Sequence, residues 1–369
     1  MAKVSGTKGK PIQLDENSEF QIDDILSEFE KNYDGRYPSF EDIPKVVHSG
    51  SLFLDLALGG GYPTRDMTIM YGENQGGKTV SITNALKACV QTGKKALVVA
   101  PENFNYIHAE RSGCGKPNVD YVLVVPNGQV QAQRLISKSV QEGWFDLIVL
   151  DSITALQPQQ LMAQEIGDGG QMGRQAFGNN EFLTEMQRVI GVSENPPAFI
   201  STSQVRERMD SGFDSITGKD VIKGGHKAIL HAMKTVLKFY SRSKDRLVTH
   251  GDEVVGIAPK IDILRGQGPE NIRTIDGQLV FRVLPHIQLD TAKETAVILT
   301  RYGQITNKEG SVMNNASAAR SEFFINGESL GVKGNKEFIE KCYTDNAFSE
   351  QMYEMAWNLV DQITGRVLR

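Results

Sequence analysis

The chain has 369 residues, a length that allows two or three domains and at least one large buried core. Hydrophobic residues make up 40% and charged residues 23%, ordinary globular values that exclude wholesale disorder. Forty Lys and Arg against 45 Asp and Glu leave a net charge of −5, so no global positive field draws the chain to nucleic acid or an anionic membrane, although a local basic stripe could still do so. Cys89, Cys114 and Cys342 are widely spaced without a CxxC, which argues against a disulfide framework and a cysteine-rich zinc site. No apolar run approaches the roughly 18 residues of a membrane span, and the opening MAKVSGTKGK lacks the apolar core of a signal peptide. The expectation is a soluble cytoplasmic protein with no membrane partner.

Residues 1 to 19 are polar and read as a loose arm. Ile22, Ile25, Leu26 and Phe29 then recur at the spacing of one helix face, with Asp23 and Asp24 suited to its positive end. Asp34-Gly35 breaks the helix, and Arg36 to Phe40 is extended, its Pro38 permitting only an edge position. So short a helix and strand cannot bury their apolar faces alone. Packing in cis and docking onto a neighbouring subunit are both open on this evidence.

From about residue 45 to 304 short apolar runs alternate with helical spacing. Met67–Tyr71, Ala96–Val99, Tyr121–Val125, Leu147–Leu150 and Ala198–Ser201 predict strands, and Ser81–Thr92 and Val130–Glu142 predict helices. Strands this apolar indicate a mostly parallel sheet between helices, an α/β fold. Beyond residue 304 the composition turns polar, with Asn314–Ser317 linker-like. Residues 338–342 and 352–360 predict two helices of a small terminal domain. The expected organisation is 1–44 as arm and oligomerisation segment, 45–304 as core, and 305–369 as a small C-terminal domain.

Gly72-Glu73-Asn74-Gln75-Gly76-Gly77-Lys78-Thr79 fits G-x-x-x-x-G-K-[ST] between a predicted strand and a predicted helix, the context that gives this motif its meaning. Its backbone N–H groups and the helix N-terminus can surround phosphate oxygens. Lys78 would reach the β- and γ-phosphates of a nucleotide such as ATP, and the Thr79 hydroxyl would bind Mg²⁺. Asp151, with Ser152 beside it, ends an apolar strand about seventy residues on and would hold the metal through water. Glu102 follows the strand ending at Ala100, so a parallel sheet puts it at the same edge, either to orient or deprotonate an attacking water or as a solvated loop acid; position alone leaves both open. Gln204 reaches that edge too and could sense the γ-phosphate.

Two further segments stand out. Residues 165–174 hold four glycines around Met172, which has no evident burial. A second loop, from about Arg206 to Gly225, carries Met209 and Phe213 in polar surroundings. Residues 201–250 contain ten Lys and Arg against five Asp and Glu, a local +5 that leaves the rest of the chain at −10. Charge segregated in this way is expected of a segment that meets nucleic-acid phosphates, and apolar side chains on such loops can wedge between bases.

In order along the chain these motifs resemble the bacterial RecA recombinases and their phage relatives of the UvsX type, across about residues 20 to 360. The strings are HSGSLFLDLALGGG (48–61), YGENQGGKT (71–79), APENFNYIHA (100–109), IVLDSITALQP (148–158), EIGDGGQMG (165–173), SQVR (203–206) and KGG (223–225). EIGDGGQMG is the most telling, because it is similar to the family's first DNA-binding loop. The resemblance implies a RecA-like P-loop NTPase core with two DNA-binding loops, at about 163–174 and 205–225. It implies that FEKNYDGRYPSF (29–40) docks on the next protomer of a helical filament.

Position by position, the resemblance makes Glu102 the residue that activates water and Gln204 the γ-phosphate sensor. Asn105 and His108 fall where the family holds adenine, usually with an aspartate and a tyrosine. Gly169, Gly170, Met172, Gly173, Arg174, Arg206, Arg208, Met209, Phe213, Gly224 and Gly225 fall at the DNA. Arg265 and Gln267 match two lysines that complete the neighbouring protomer's ATP site. Arg265 keeps one charge and Gln267 loses the other, with Arg273 nearby as a substitute. His226, Ile229 and Leu230 depart from the residues that couple subunits. Pro101, just before Glu102, restricts the backbone at Ala100.

The implied function is an ATP- and Mg²⁺-dependent homologous DNA recombinase, a DNA-dependent ATPase. It would form filaments on single-stranded DNA, pair them with duplex DNA and exchange strands in recombination and repair. Loader or single-strand-binding proteins are admissible partners, and the expected location is the cytoplasm of a bacterial or phage-infected cell, at the nucleoid. A ring-forming helicase or motor on the same core, a non-catalytic recombination mediator and a small-molecule kinase are the alternatives. The Lys78, Thr79, Glu102, Asp151 set weighs against the mediator, and the DNA-loop strings weigh against the kinase.

Overall fold

A computed structural model of the chain describes residues 45–365 except 103, 157–170, 208–213, 224, 241–245, 251–252, 270–271, 277–278, 283–287 and 314–317. The predicted helix from Ile22, the extended Arg36–Phe40 and the Asn314–Ser317 stretch lie outside these residues.

After a small pair, β1 (Val46–Val47) with β2 (Tyr62–Pro63), the apolar runs become β3 (Met67–Gly72), β4 (Ala96–Val99), β5 (Val122–Val124), β6 (Leu147–Leu150) and β7 (Ala198–Glu207). β8 (Asp220–Ile222), β9 (Thr235–Phe239), β12 (Lys260–Arg265) and β13 (Thr274–Asp276) complete a nine-stranded sheet. Its order is β13-β12-β9-β3-β7-β6-β4-β5, with β8 paired to β7. The strands from β9 to β5 along this path are parallel; β12, β13 and β8 pair antiparallel. The fold is α/β with a mostly parallel sheet, as expected.

The period-two alternation of a strand explains the layering. Leu147 and Val149 of β6 enter one buried cluster, Ile148 and Leu150 the other. The first face is covered by α1 (Leu52–Leu58), α2 (Lys78–Gln91) and α7 (Thr291–Arg301); α4 (Gln129–Gln141), α5 (Gln171–Val192) and α6 (His226–Ala232) contribute to the second, and the single turn α3 is Tyr106–Ala109. The predicted C-terminal helices are α8 (Gly334–Thr344) and α9 (Asn346–Thr364), which share the first cluster with α2. The Phe338 and Phe348 rings meet edge-on, centroids 5.3 Å apart.

The antiparallel elements carry weak apolar alternation and lack a sequence signal of comparable strength. They comprise a four-stranded sheet of β10 (Leu247–His250), β11 (Glu253–Ile257), β14 (Phe281–Arg282) and β15 (Gln288–Leu289), and the hairpin of β16 (Glu322–Ile325) and β17 (Glu328–Lys333). Two predicted loops are also shorter than expected. β7 runs on to Glu207 and pairs with β8 through Val205↔Ile222, so much of 205–225 is rooted in a β-hairpin. α5 begins at Gln171, so Met172, Gly173 and Arg174 open a helix instead of lying in a glycine-rich coil. The apolar spacing of residues 182–190, five of whose side chains are buried, carries that helix.

One buried polar anchor ties the first face together. Ser51 caps α1, accepting from the Leu54 N–H at 3.2 Å, and its hydroxyl donates to Glu294 Oε1 of α7 at 2.5 Å. Leu52 N–H donates to Glu294 Oε2 at 3.1 Å. Beside it Asp55 accepts from Ser49 N–H at 2.7 Å and faces His48 Nδ1 at 3.1 Å, and the His48 ring lies 4.2 Å from that of Trp357 on α9.

Glu294 is fully buried, and burial pushes its carboxyl up to about 8 against these hydrogen bonds, with nearby Asp55 adding to the rise. Its ordinary value is 4.5, so the folded state binds this proton more tightly than the unfolded chain does. The associated stability is complete below the ordinary value and is lost as pH rises through the folded one. Glu294→Gln keeps the shape and removes the titration. Urea midpoints at pH 5 and pH 8 are therefore expected to separate the two proteins further at pH 8, in favour of the variant; parallel profiles would refute the assignment.

Candidate functional site

Parallel strands deliver all their carboxyl ends to one edge of the sheet, and the crevice there is where open α/β sheets bind ligands. β3, β4 and β6 end at this edge and β7 runs past it, with Gly72 level with Gln204 and Leu150 level with Ser201. A cavity of ≈ 530 Å³ opens at that edge, within the size range of small-molecule sites. Asn74, Gln75, Gly76, Gly77, Lys78 and Thr79 form one wall. Glu102, Asp151, Ser152, Thr202 and Gln204 form the other, and Phe104, Asn105, Ile257 and Phe281 give it an apolar end.

The glycines are imposed by space and by backbone angle. Gly72 has φ +149°, and a Cβ there would lie 1.9 Å from the Phe239 carbonyl oxygen. Gly77 has φ +99°, and a Cβ there would meet the Phe281 ring at 2.7 Å. The turn they permit brings the chain straight into α2 with Lys78 at its first residue. The Lys78 ammonium donates to the carbonyls of Gly72 (3.0 Å) and Glu73 (2.7 Å), which shape the loop from outside the cavity wall.

Asp151 accepts from the Thr202 hydroxyl on the neighbouring strand. Burial pushes its carboxyl up; the Thr202 hydrogen bond and Lys78 pull it down, and Glu102 pushes it up. Burial likewise pushes the Lys78 ammonium down, opposed by Asp151, Glu102 and Glu73. One cation thus faces several acids across a partly dry cleft. The Ser152 hydroxyl donates to Glu102 Oε1 at 3.2 Å and shares a hydrogen bond with Thr154 Oγ1 at 2.6 Å, which orients the Glu102 carboxylate.

Among the described residues no group of three or more His, Cys, Asp and Glu side chains could hold a metal ion on its own. A hydroxyl at Thr79 and a carboxylate at Asp151 are nevertheless hard oxygen donors. They suit Mg²⁺, which keeps several waters and binds through one or two protein oxygens plus substrate phosphates.

Three of the residues assigned to this chain's own nucleotide, Gly72, Glu73 and His108, lie off the cavity wall, and Arg265, assigned to a neighbouring protomer's site, stands apart from it as well. Gly72 and Glu73 act on Lys78 as above. His108 sits at the third position of α3, whose turn carries it away; the Asn105 side chain, which does line the cavity, caps that turn by accepting from His108 N–H at 3.0 Å. Arg265 is two strands from β3, and its guanidinium donates to the Leu230 (2.6 Å) and Met233 (2.9 Å) carbonyls at the end of α6. Gln267 donates to Asp66 at 2.8 Å, and Arg273 to the Gly266 carbonyl at 3.4 Å.

Of the residues assigned to DNA, Gly169, Gly170, Arg208, Met209, Phe213 and Gly224 lie outside the described residues. Arg206 is in β7, and Met172, Gly173 and Arg174 open α5. Gly225 precedes α6, and a Cβ on it would lie 3.4 Å from the Ala176 carbonyl oxygen of α5, so the ends of the two segments meet. Sequence reasoning missed Phe104, Ile257, Phe281 and Thr202. A strand-end hydroxyl two residues before Gln204 was a readable signal for Thr202; β11 and β14 gave none for Ile257 and Phe281.

A glycine loop opening a helix, with lysine, hydroxyl and strand-end acids at one edge of a parallel sheet, defines the class: a P-loop nucleotide-binding core. The family model for the RecA N-terminal domain matches residues 34–283. Protein RecA of Porphyromonas gingivalis is 29% identical over 249 residues, covering 65% of this chain and 68% of that protein. Protein RecA of Methylococcus capsulatus is 28% identical over 283 residues (73% and 76%), and that of Thermus aquaticus 29% over 282 (73% and 78%). The chain belongs to the RecA family.

Gly77→Ala tests the loop directly. Strain at a positive φ, with a methyl driven into Phe281, is expected to cost about 1–3 kcal/mol in chemical denaturation and to abolish binding of a fluorescent ATP analogue. Binding within a few-fold of the unsubstituted chain would remove this cavity from nucleotide recognition.

Proposed function

We propose that this chain is an ATP-dependent homologous DNA recombinase that assembles as a helical filament on single-stranded DNA, pairs it with a homologous duplex and exchanges strands. Family membership and the catalytic constellation support the ATPase part. The single observation that carries the DNA part is a shared root: β7 lines the nucleotide cavity at Gln204 and runs on into the β7–β8 hairpin, whose far end at Gly225 meets the first turns of α5.

In this reading the loop N–H groups and Lys78 bind the phosphates, and Asn105, Phe104 and Phe281 border the base. Thr79 and Asp151 hold Mg²⁺, which when bound neutralises charge on the transferring phosphates. Glu102, oriented by Ser152, accepts a proton from the attacking water, and Gln204 reports the terminal phosphate to the hairpin. Sequence is read by base pairing, so protein contacts go to backbone and stacked bases. Residues 1–44 serve as the assembly arm, 45–304 as the core and 305–369 as a small C-terminal domain. The cellular location this implies is the cytoplasm; among the described residues no helix is long and apolar enough to cross a membrane.

Assembly has a candidate receptor. β5 is the last strand of the sheet, with no strand beyond it among the described residues; its Leu123 N–H donates to the Asn118 side chain at 3.1 Å, and Val119 (78% exposed) and Val125 (69%) flank it. Arg36–Phe40 of a second copy, whose sequence reads as an edge strand, would continue the sheet there by strand addition.

Electron microscopy with single-stranded DNA, Mg²⁺ and a slowly hydrolysed ATP analogue is expected to give open helical filaments that need the nucleotide. Closed rings would turn the assignment to a helicase or motor, and dispersed protein would overturn it. Glu102→Gln is expected to bind ATP and DNA but to hydrolyse ATP about 10²–10⁴-fold more slowly; unchanged turnover removes Glu102 from the mechanism. Val119→Glu with Val125→Glu is expected to block filaments while fluorescent-nucleotide binding is kept; normal filaments would place the receptor elsewhere.

A further inference from the structure

Lys223 belongs neither to the glycine loop nor to the acids around it, yet it is fastened to the cavity wall in three ways. Its ammonium donates to Gln204 Oε1 at 2.8 Å. Its backbone N–H donates to the Gln204 carbonyl at 2.9 Å. Its carbonyl accepts from the Ser203 hydroxyl, also at 2.9 Å. It stands at the end of β8, two residues before Gly225 and three before α6 begins.

The chemistry of this pair has a direction. An ammonium is a donor only, so it binds the oxygen end of an amide. With its oxygen held by Lys223, Gln204 offers its N–H₂ end to the cavity it lines, and that is the end an anion accepts. Released from Lys223, the amide could turn either end to the cavity, and its oxygen would repel a phosphate. The second effect is mechanical. Any shift of Gln204 toward a ligand is carried through its two bonds to Lys223, backed by the one from Ser203, and from there into Gly225 and α6.

We propose that Lys223 is a positioning residue: it orients the Gln204 amide toward the terminal phosphate of a nucleoside triphosphate and passes the presence of that phosphate to the hairpin and α6. This deepens the nucleotide reading above and rests on it. Its mark is discrimination between triphosphate and diphosphate, since only the γ-phosphate lies within the office of Gln204.

The test measures affinities of the full-length chain for fluorescent ATP and ADP analogues, without DNA, in Lys223→Met, Lys223→Arg, Gln204→Met and the Lys223→Met/Gln204→Met double variant. Lys223→Met is expected to keep ADP affinity within about twofold and to lower the ATP-over-ADP preference about tenfold, the scale of one charge-assisted hydrogen bond. Lys223→Arg, which keeps the donor, is expected to retain most of the preference. Gln204→Met should show the same loss, and the double variant no more than either single one. An unchanged preference in Lys223→Met overturns the proposal, as does an equal loss for both nucleotides, which marks a merely structural role. Additive losses would overturn it too, since Lys223 would then act independently of Gln204. Failure of the unsubstituted chain to bind either analogue would instead overturn the nucleotide reading itself.

Discussion

The parallel pairing of β3 with β7 is the contact on which everything functional depends. It runs for the full length of β3 and sets Gly72 level with Gln204. One strand leads into the phosphate loop and the other into the β7–β8 hairpin, so two segments more than 130 residues apart in the chain are held in fixed register by backbone hydrogen bonds. Side chains could not hold that alignment so firmly, because each would carry rotamer freedom that the ladder does not. β6 extends the arrangement by one strand, and the Thr202 hydroxyl joins β7 to Asp151 across the gap.

The electrostatics of the cleft follow from the same geometry. Parallel strands gather Glu102, Asp151 and Lys78 at one edge, where burial penalises the charged forms of Asp151 and Lys78 and their opposite charges work against that penalty. Such a cleft is poised for a ligand that brings its own charge, because a polyphosphate with its metal ion supplies both signs.

What the sequence disclosed and what it hid divide by the strength of the apolar pattern. β3, β4, β6 and the start of β7 are short, wholly buried runs, and their ends located Lys78, Glu102, Asp151 and Gln204 correctly at one edge. The glycine loop was legible because its steric demand allows no other residue at Gly72 or Gly77. β14 is two residues long and its only signal is Phe281, so the apolar end of the cavity could not be read. The place of His108 off the cavity wall was not legible for a related reason: a one-turn helix such as α3 turns residues three apart in directions that spacing alone does not determine. The charged stripe of 201–250 was visible as composition, but its β-hairpin root was not, because β8 is three residues and only Ile222 is buried.

The shortness of β5 has a consequence for the proposed assembly. A three-residue edge can lend an incoming strand only a few hydrogen bonds, each worth on the order of 1 kcal/mol net. A pair of subunits joined at such an edge would be short-lived, while a long array, gripping a common template as well, would persist. Polymers built from weak, repeated contacts grow from rare nuclei above a threshold concentration and come apart from their ends. The same brevity blunts the edge against unspecific stacking, which long open edges invite.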